Sequence, residues 1–146
     1  MIAAILFRVL TAITDRQKKD EGAGLVRWQP QKEVEAAARN AGKPVLYDFT
    51  AAWCGPCHRL DAEGWGDPQI ASLVNRSYLP ARVVDRERED GKNTPAIEDL
   101  ERRYSVNAFP TLIVAAPDGR LIAKMQGYGG REKLREFLQE SSSKTP

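Results

Sequence analysis

Apolar positions along the chain fall into short runs, separated by polar stretches that carry helix starts and stops. Val45 to Thr50 is a brief, mostly apolar run, the length and character of a buried strand. Ala81 to Val84, Thr111 to Ala115 and Leu121 to Gln126 read as three further strands. Pro117-Asp118-Gly119 between the last two is a hairpin turn signal. The intervening segments are helical. Gln31 to Ala41 is rich in helix formers and stops at Gly42, with Lys43-Pro44 beyond it. Gly55 to about Glu63 reads as a helix with Pro56 in its first turn, where a missing N–H costs nothing. Asp67-Pro68 and Thr94-Pro95 each pair a capping side chain with a proline at the first helical position. They predict helices to about Asn75 and about Tyr104. Arg86 to Asn93 reads as a charged loop, and Arg131 to Gln139 as the last helix after Gly127, Gly129 and Gly130.

The predicted order is strand–helix–helix–strand–helix–strand–strand–helix after a helical lead-in. Helical connections imply parallel crossovers, and the late hairpin implies one antiparallel pair. The fold class is therefore α/β: a mixed central sheet with helices on both faces, a three-layer sandwich. Residues 25–140 form the domain, 1–24 an apolar segment and a charged linker, and 141–146 a flexible serine-led tail.

Ile2 to Phe7 and Val9 to Ile13 are apolar but broken by Arg8. The run is shorter than the roughly 20 residues a spanning helix needs. It carries neither a preceding basic region nor a clear small-residue cleavage site. Three readings stay open: the end of a membrane helix, an interfacial helix, or a helix packed on the domain.

Composition narrows the function classes. Among 146 residues, 42% are hydrophobic and 29% charged, with a net charge of +2, as in an ordinary globular protein. Basic residues alternate with acidic ones, as in Asp85-Arg86-Glu87-Arg88-Glu89-Asp90, so no sustained basic patch offers a site for nucleic acid. The chain is expected to act as a monomer.

The chain has two cysteines and one histidine. The cysteines are Cys54 and Cys57, too close for a loop-spanning disulfide framework and only half of a structural zinc site. They sit where a strand runs into a helix. A helix N-terminus presents unpaired N–H groups and a positive dipole end, which favour the thiolate that attacks disulfides. Cys54 is the natural nucleophile there, and Cys57, one turn on, can close a ring with it and release a bound substrate. Cys54-Gly55-Pro56-Cys57-His58 also satisfies the C-x-x-C-H spacing of c-type haem attachment. That motif needs no buried strand before it, and only Met1 and Met125 could supply a second axial ligand. No haem, metal or other cofactor is expected.

Three blocks of sequence carry a family resemblance. Val45 to Cys57, containing Trp53-Cys54-Gly55-Pro56-Cys57, resembles the thioredoxin active-site region. Tyr104 to Leu112 resembles the family's cis-proline segment, and Asp118-Gly119 followed by Gly127 its later hairpin. Gly42-Lys43-Pro44-Val45 and Asp67-Pro68-Gln69-Ile70 are similar to the C-terminal thioredoxin-like domain of transmembrane thiol:disulfide interchange reductases. In that family the domain lies on the periplasmic side and passes electrons outward. The Gly-Pro inside the motif departs toward plain thioredoxin.

The resemblance implies a reductase of protein disulfides, with protein disulfides or dithiols as substrates and an upstream thiol donor. It implies a place in the envelope or periplasm, with the cytoplasm as alternative, and a membrane attachment through residues 1–14. It implies that Pro110 faces the cysteines in a cis peptide bond, although a proline at a strand start is also allowed. The backbone around Phe109 would pair with an extended substrate as an added strand. Asp48 would take the proton of Cys57, its pKa raised by burial; otherwise it is a polar residue near a strand edge. Trp53, Gly55 and Pro56 border the pair as substrate-contacting positions, though Trp53 could serve packing alone. A binding or redox-sensing module on the same fold is the rival class. The joint presence of Cys54, Cys57, Pro110 and Asp48 favours the enzyme.

Overall fold

A computed structural model describes residues 24–145. The apolar segment 1–14 and its three readings lie outside the described residues. The elements are α1 (Gln31–Ala41), β1 (Val45–Ala51), α2 (Gly55–Arg59), a π-helical segment (Leu60–Trp65), α3 (Pro68–Ser77), β2 (Leu79–Asp85), α4 (Glu87–Asp90), α5 (Pro95–Arg103), β3 (Thr111–Ala115), β4 (Leu121–Gln126) and α6 (Arg131–Ser143).

The capping chemistry works as its residue types dictate. Gly42 closes α1 in the left-handed region (φ 63°), its N–H donating to Ala38 O. Asp67 caps α3 by accepting from Gln69 N (2.9 Å) and Ile70 N (3.0 Å). Thr94 caps α5 through a longer bond from Ile97 N, 3.4 Å.

The sheet runs β2-β1-β3-β4. β1 pairs parallel with β2, placing Asp48 beside Arg82, and antiparallel with β3, placing Phe49 beside Thr111. β3 pairs antiparallel with β4. The expectation of a single antiparallel pair is thus corrected to two. After α5 the chain from Tyr104 to Pro110 returns to the sheet end where β1 finishes, so β3 starts there and runs back. A helix in a connection does not by itself make a crossover.

Alternate residues of β1 feed two cores. Leu46 joins Leu60, Trp65, Ile70, Val74, Leu112, Leu134 and Leu138 beneath α3, α6 and the π segment. Tyr47 and Phe49 join Val34, Ala38, Leu100 and Tyr104 beneath α1 and α5. Helices cover both faces of the sheet, as expected of this fold class.

Three further details differ from the sequence reading. The expected loop Arg86 to Asn93 contains the single-turn helix α4, because Asp85 Oδ1 accepts from Glu87 N (3.3 Å) and Arg86 pairs with Asp90 (2.8 Å). The last helix continues through Ser143, where a flexible tail was expected from Ser141. Ser141 is buried and its hydroxyl donates to Phe137 O (2.6 Å), while Ser142 and Ser143 donate to the carbonyls of Gln139 and Glu140. Beyond Arg59 the active-site helix widens into a π turn, which puts Leu60, Gly64 and Trp65 together on the buried face.

Gly66 ends that π turn, and a Cβ there would lie 2.5 Å from Ala62 O. The obstacle is backbone and cannot rotate away. Gly66→Ala is expected to cost about 1–3 kcal/mol of stability through overpacking. Urea unfolding measures it; an unchanged midpoint would show that the backbones do not approach this closely in solution.

Candidate active site

β1 delivers Ala51 to the sheet end, and the chain turns there so that Cys54 N donates to Ala51 O (3.2 Å). Cys54 is the N-cap of α2, in extended backbone (φ −86°, ψ 109°). Its sulfur accepts from Cys57 N at 3.2 Å, so a sulfur takes the place a serine or aspartate oxygen has at an ordinary helix start. Gly55 and Pro56 occupy the exposed first turn. Cys54 and Cys57 form a disulfide with Cα atoms 5.3 Å apart. Both are nearly covered, 3% and 2% exposed, and pack with Ala51 and Phe109.

Phe109 precedes Pro110 through a cis peptide bond, and Pro110 O accepts from Gly127 N (2.8 Å), tying this turn to the glycine loop before α6. Trp53 is 44% exposed, with its ring edge-on to Phe109 at 5.9 Å. The sequence-predicted residues Trp53, Cys54, Gly55, Pro56, Cys57, Phe109 and Pro110 therefore come together at one end of the sheet.

Asp48 lies within β1, three residues before Ala51. It is 1% exposed, on a strand flanked by two others and not at an edge. Oδ2 accepts from the Trp65 indole N–H at 2.9 Å and lies 3.6 Å from Arg82 Nε, beyond hydrogen-bonding distance. Oδ1 has no hydrogen-bond partner. Burial pushes the carboxyl up to about 6, and the Arg82 charge and Trp65 hydrogen bond offset only part of that rise. Such a carboxylate is a competent base near neutral pH.

Sequence reasoning missed the groups around Asp48. Arg82 reaches it across the parallel register, pairs outward with Asp61, and stacks 4.7 Å from the ring centre of Trp28. Trp28 meets Trp65 edge-on at 5.5 Å. The one sequence signal was an arginine inside the apolar run of β2.

His58 Nε2 lies 2.8 Å from Ala52 O, and the two sulfurs are bonded to each other. Among the described residues, no group of three or more His, Cys, Asp or Glu side chains could hold a metal ion.

Residues 31–142 match the family described as thioredoxin-like domain. The chain belongs to the thioredoxin-like family. It is 28% identical over 115 residues to the thiol:disulfide interchange protein DsbD of Photorhabdus laumondii, covering 77% of this chain but only 18% of that protein. It is 27% identical over 110 residues to thioredoxin C-2 of Corynebacterium nephridii, covering 75% of this chain and 90% of that one. Among solved structures, the oxidised C-terminal domain of Neisseria meningitidis DsbD superposes with a TM-score of 0.61 at 24% identity, covering 78% of this chain and 97% of that domain. With Cys54 and Cys57 paired at the helix start, this thioredoxin-like chain is a thiol–disulfide oxidoreductase.

Proposed function

We propose that the protein reduces protein disulfides in the cell envelope, taking electrons from an upstream dithiol. The observation that carries this reading is Cys54 at the N-cap, its sulfur receiving the Cys57 N–H, on a chain whose preceding strand carries the buried Asp48.

In the reduced protein the Cys54 thiolate attacks one sulfur of the substrate disulfide. That S–S bond breaks, and the first substrate thiolate leaves and takes a proton from solvent. Cys57 then gives its proton to Asp48 and attacks Cys54 Sγ. The second substrate thiolate leaves and takes up a proton, Asp48 gives the Cys57 proton back to solvent, and the Cys54–Cys57 disulfide forms. Two electrons and two protons have passed to the substrate, and a donor dithiol restores the pair by the same exchange in reverse. Trp53, Gly55 and Pro56 form the exposed rim against which substrate lies. Pro110 faces the sulfurs, and the backbone at Phe109 takes an extended substrate as an added strand.

Likeness to DsbD supports the envelope, and the interchange of electrons across a membrane would then lie outside this domain. Among the described residues no helix is long and apolar enough to cross a membrane. A tether would fall to residues 1–14.

Equilibration of the pair in glutathione buffers tests the direction. The couple is expected to be more reducing than about −200 mV, because Gly-Pro between the cysteines resembles the reducing members of the family. A value near −120 mV, that of a strong oxidant, would reverse the assignment.

A further inference from the structure

A groove of about 380 Å³ opens beside the disulfide, between α4, α5 and the turn before β3. Trp53, Phe109 and Val106 form its apolar wall, and Asp85, Glu87 and Glu101 bring carboxyl groups to it. Among the described residues, none of these three makes an ion pair. Asp85 is 5% exposed and its oxygens serve the backbone of Glu87 and the amide of Asn93. Glu101 Oε1 is buried with no hydrogen-bond partner.

Arg88 is the one cation of this lining, and it is already placed: its guanidinium lies 3.6 Å from the centre of the Trp53 ring. That contact shows that the aromatic wall accepts a cation on its face. Three carboxyl groups against one guanidinium leave the groove short of positive charge. Crowding is felt most at Glu101, which burial first, then the charge of Asp85 and a hydrogen bond shared with it, push up to about 7, so that Glu101 is only partly ionised at neutral pH. A second cation entering the groove would relieve it.

We propose that this groove seats a lysine or arginine side chain of the substrate polypeptide, close to its reacting cysteine, so that the protein selects disulfides set in basic segments. The apolar stem of such a side chain lies along Phe109 and Val106 while its charged head meets Glu101 and Glu87. The inference rests on the reductase reading above, since the groove serves selection only if a polypeptide docks beside Cys54.

The test uses three disulfide-bonded peptides that differ only in the residue flanking the cysteine: arginine, leucine or glutamate. The reduced protein should act on them in the order arginine, leucine, glutamate, with kcat/KM for arginine about tenfold above glutamate at low salt. Raising sodium chloride from about 0.05 to about 0.5 M should compress that ratio toward one, since charges near the surface are screened. The Glu87→Gln/Glu101→Gln double variant should compress it likewise. Equal rates for arginine and glutamate, or leucine as the best substrate, overturns the inference and leaves the reductase reading standing. So does a preference untouched by salt, a measurement that needs no variant to fold. Reduction of none of the three peptides would overturn the reductase reading and this inference together.

Discussion

Cys57→Ser is expected to accumulate substrate proteins as mixed disulfides on Cys54, and Cys54→Ser to accumulate about tenfold fewer. Exposure does not separate the two sulfurs, since both are nearly covered in the disulfide. Position does. Cys54 is the cap, and its sulfur receives a backbone N–H from the helix start, an interaction that favours a thiolate. Cys57 lies inside the first turn, on the buried side of the helix. Without Cys57 the first attack proceeds, but no thiol follows to break the new bond. It persists until an outside thiol cleaves it. Acid quenching, alkylation and mass spectrometry of the adducts measure both variants. Equal trapping by the two would show that the nucleophile is assigned wrongly. The adducts also report the compartment: expressed in its native context, the variant should capture envelope proteins with their own cysteine pairs. A harvest of cytosolic proteins alone would remove the envelope assignment and leave the exchange chemistry intact.

Asp48→Asn is expected to act in opposite senses on rate and on stability. The amide cannot take the Cys57 proton, so release of the mixed disulfide should slow on the order of a hundredfold while the first attack changes little. Rapid mixing with a disulfide substrate separates the two steps, and equal slowing of both would remove Asp48 from this role. For stability, the carboxyl titrates near 3.8 in the unfolded chain and at about 6 in the fold. Between those values the folded protein holds a proton that the unfolded chain has lost. Stability therefore falls as pH rises through this window, and above it the ionised Asp48 costs on the order of 2–3 kcal/mol. The amide escapes that cost but sets its own N–H groups near Arg82. The variant should accordingly be more stable than the parent by about 1–2 kcal/mol at pH 7, with the gain fading toward pH 4. Denaturant unfolding at both pH values checks this. A gain of equal size at pH 4 and pH 7 would mean that Asp48 is not shifted in the fold.

The sequence made local signals easy to read and long-range ones hard. Asp67-Pro68, Thr94-Pro95 and Gly42 each act within one helical turn, and the helices start and stop where those residues place them. β3 and β4 match their apolar runs residue for residue. The direction of β3 was not legible, because it depends on where the chain from Tyr104 to Pro110 returns and not on any residue in the strand. Cys54 and Cys57 were found from spacing and helix chemistry, whereas Asp48 entered through resemblance to the family. Its partners Arg82 and Trp65 come from a neighbouring strand and a widened helical turn, and no local pattern links them to it. Arg88 and Glu101 were hidden for a different reason. They lie in stretches where charged residues are frequent, and only the fold singles out which ones face Trp53.

The π turn between Leu60 and Trp65 amounts to one residue more than a regular helix would use over the same span. Each residue of an α-helix advances the side chains by about 100°. Deleting a single residue between Leu60 and Trp65 would let the segment close as a regular α-helix over the same span, with the cysteines still at the helix start and Trp65 four residues after Leu60, on the same face. The Trp65 indole would still reach Asp48, and the connection into Asp67 and α3 would keep its place. The active-site helix thus carries a spare residue between the cysteines and the acid's hydrogen-bond partner, which makes this segment more tolerant of a one-residue deletion than a regular helix would be.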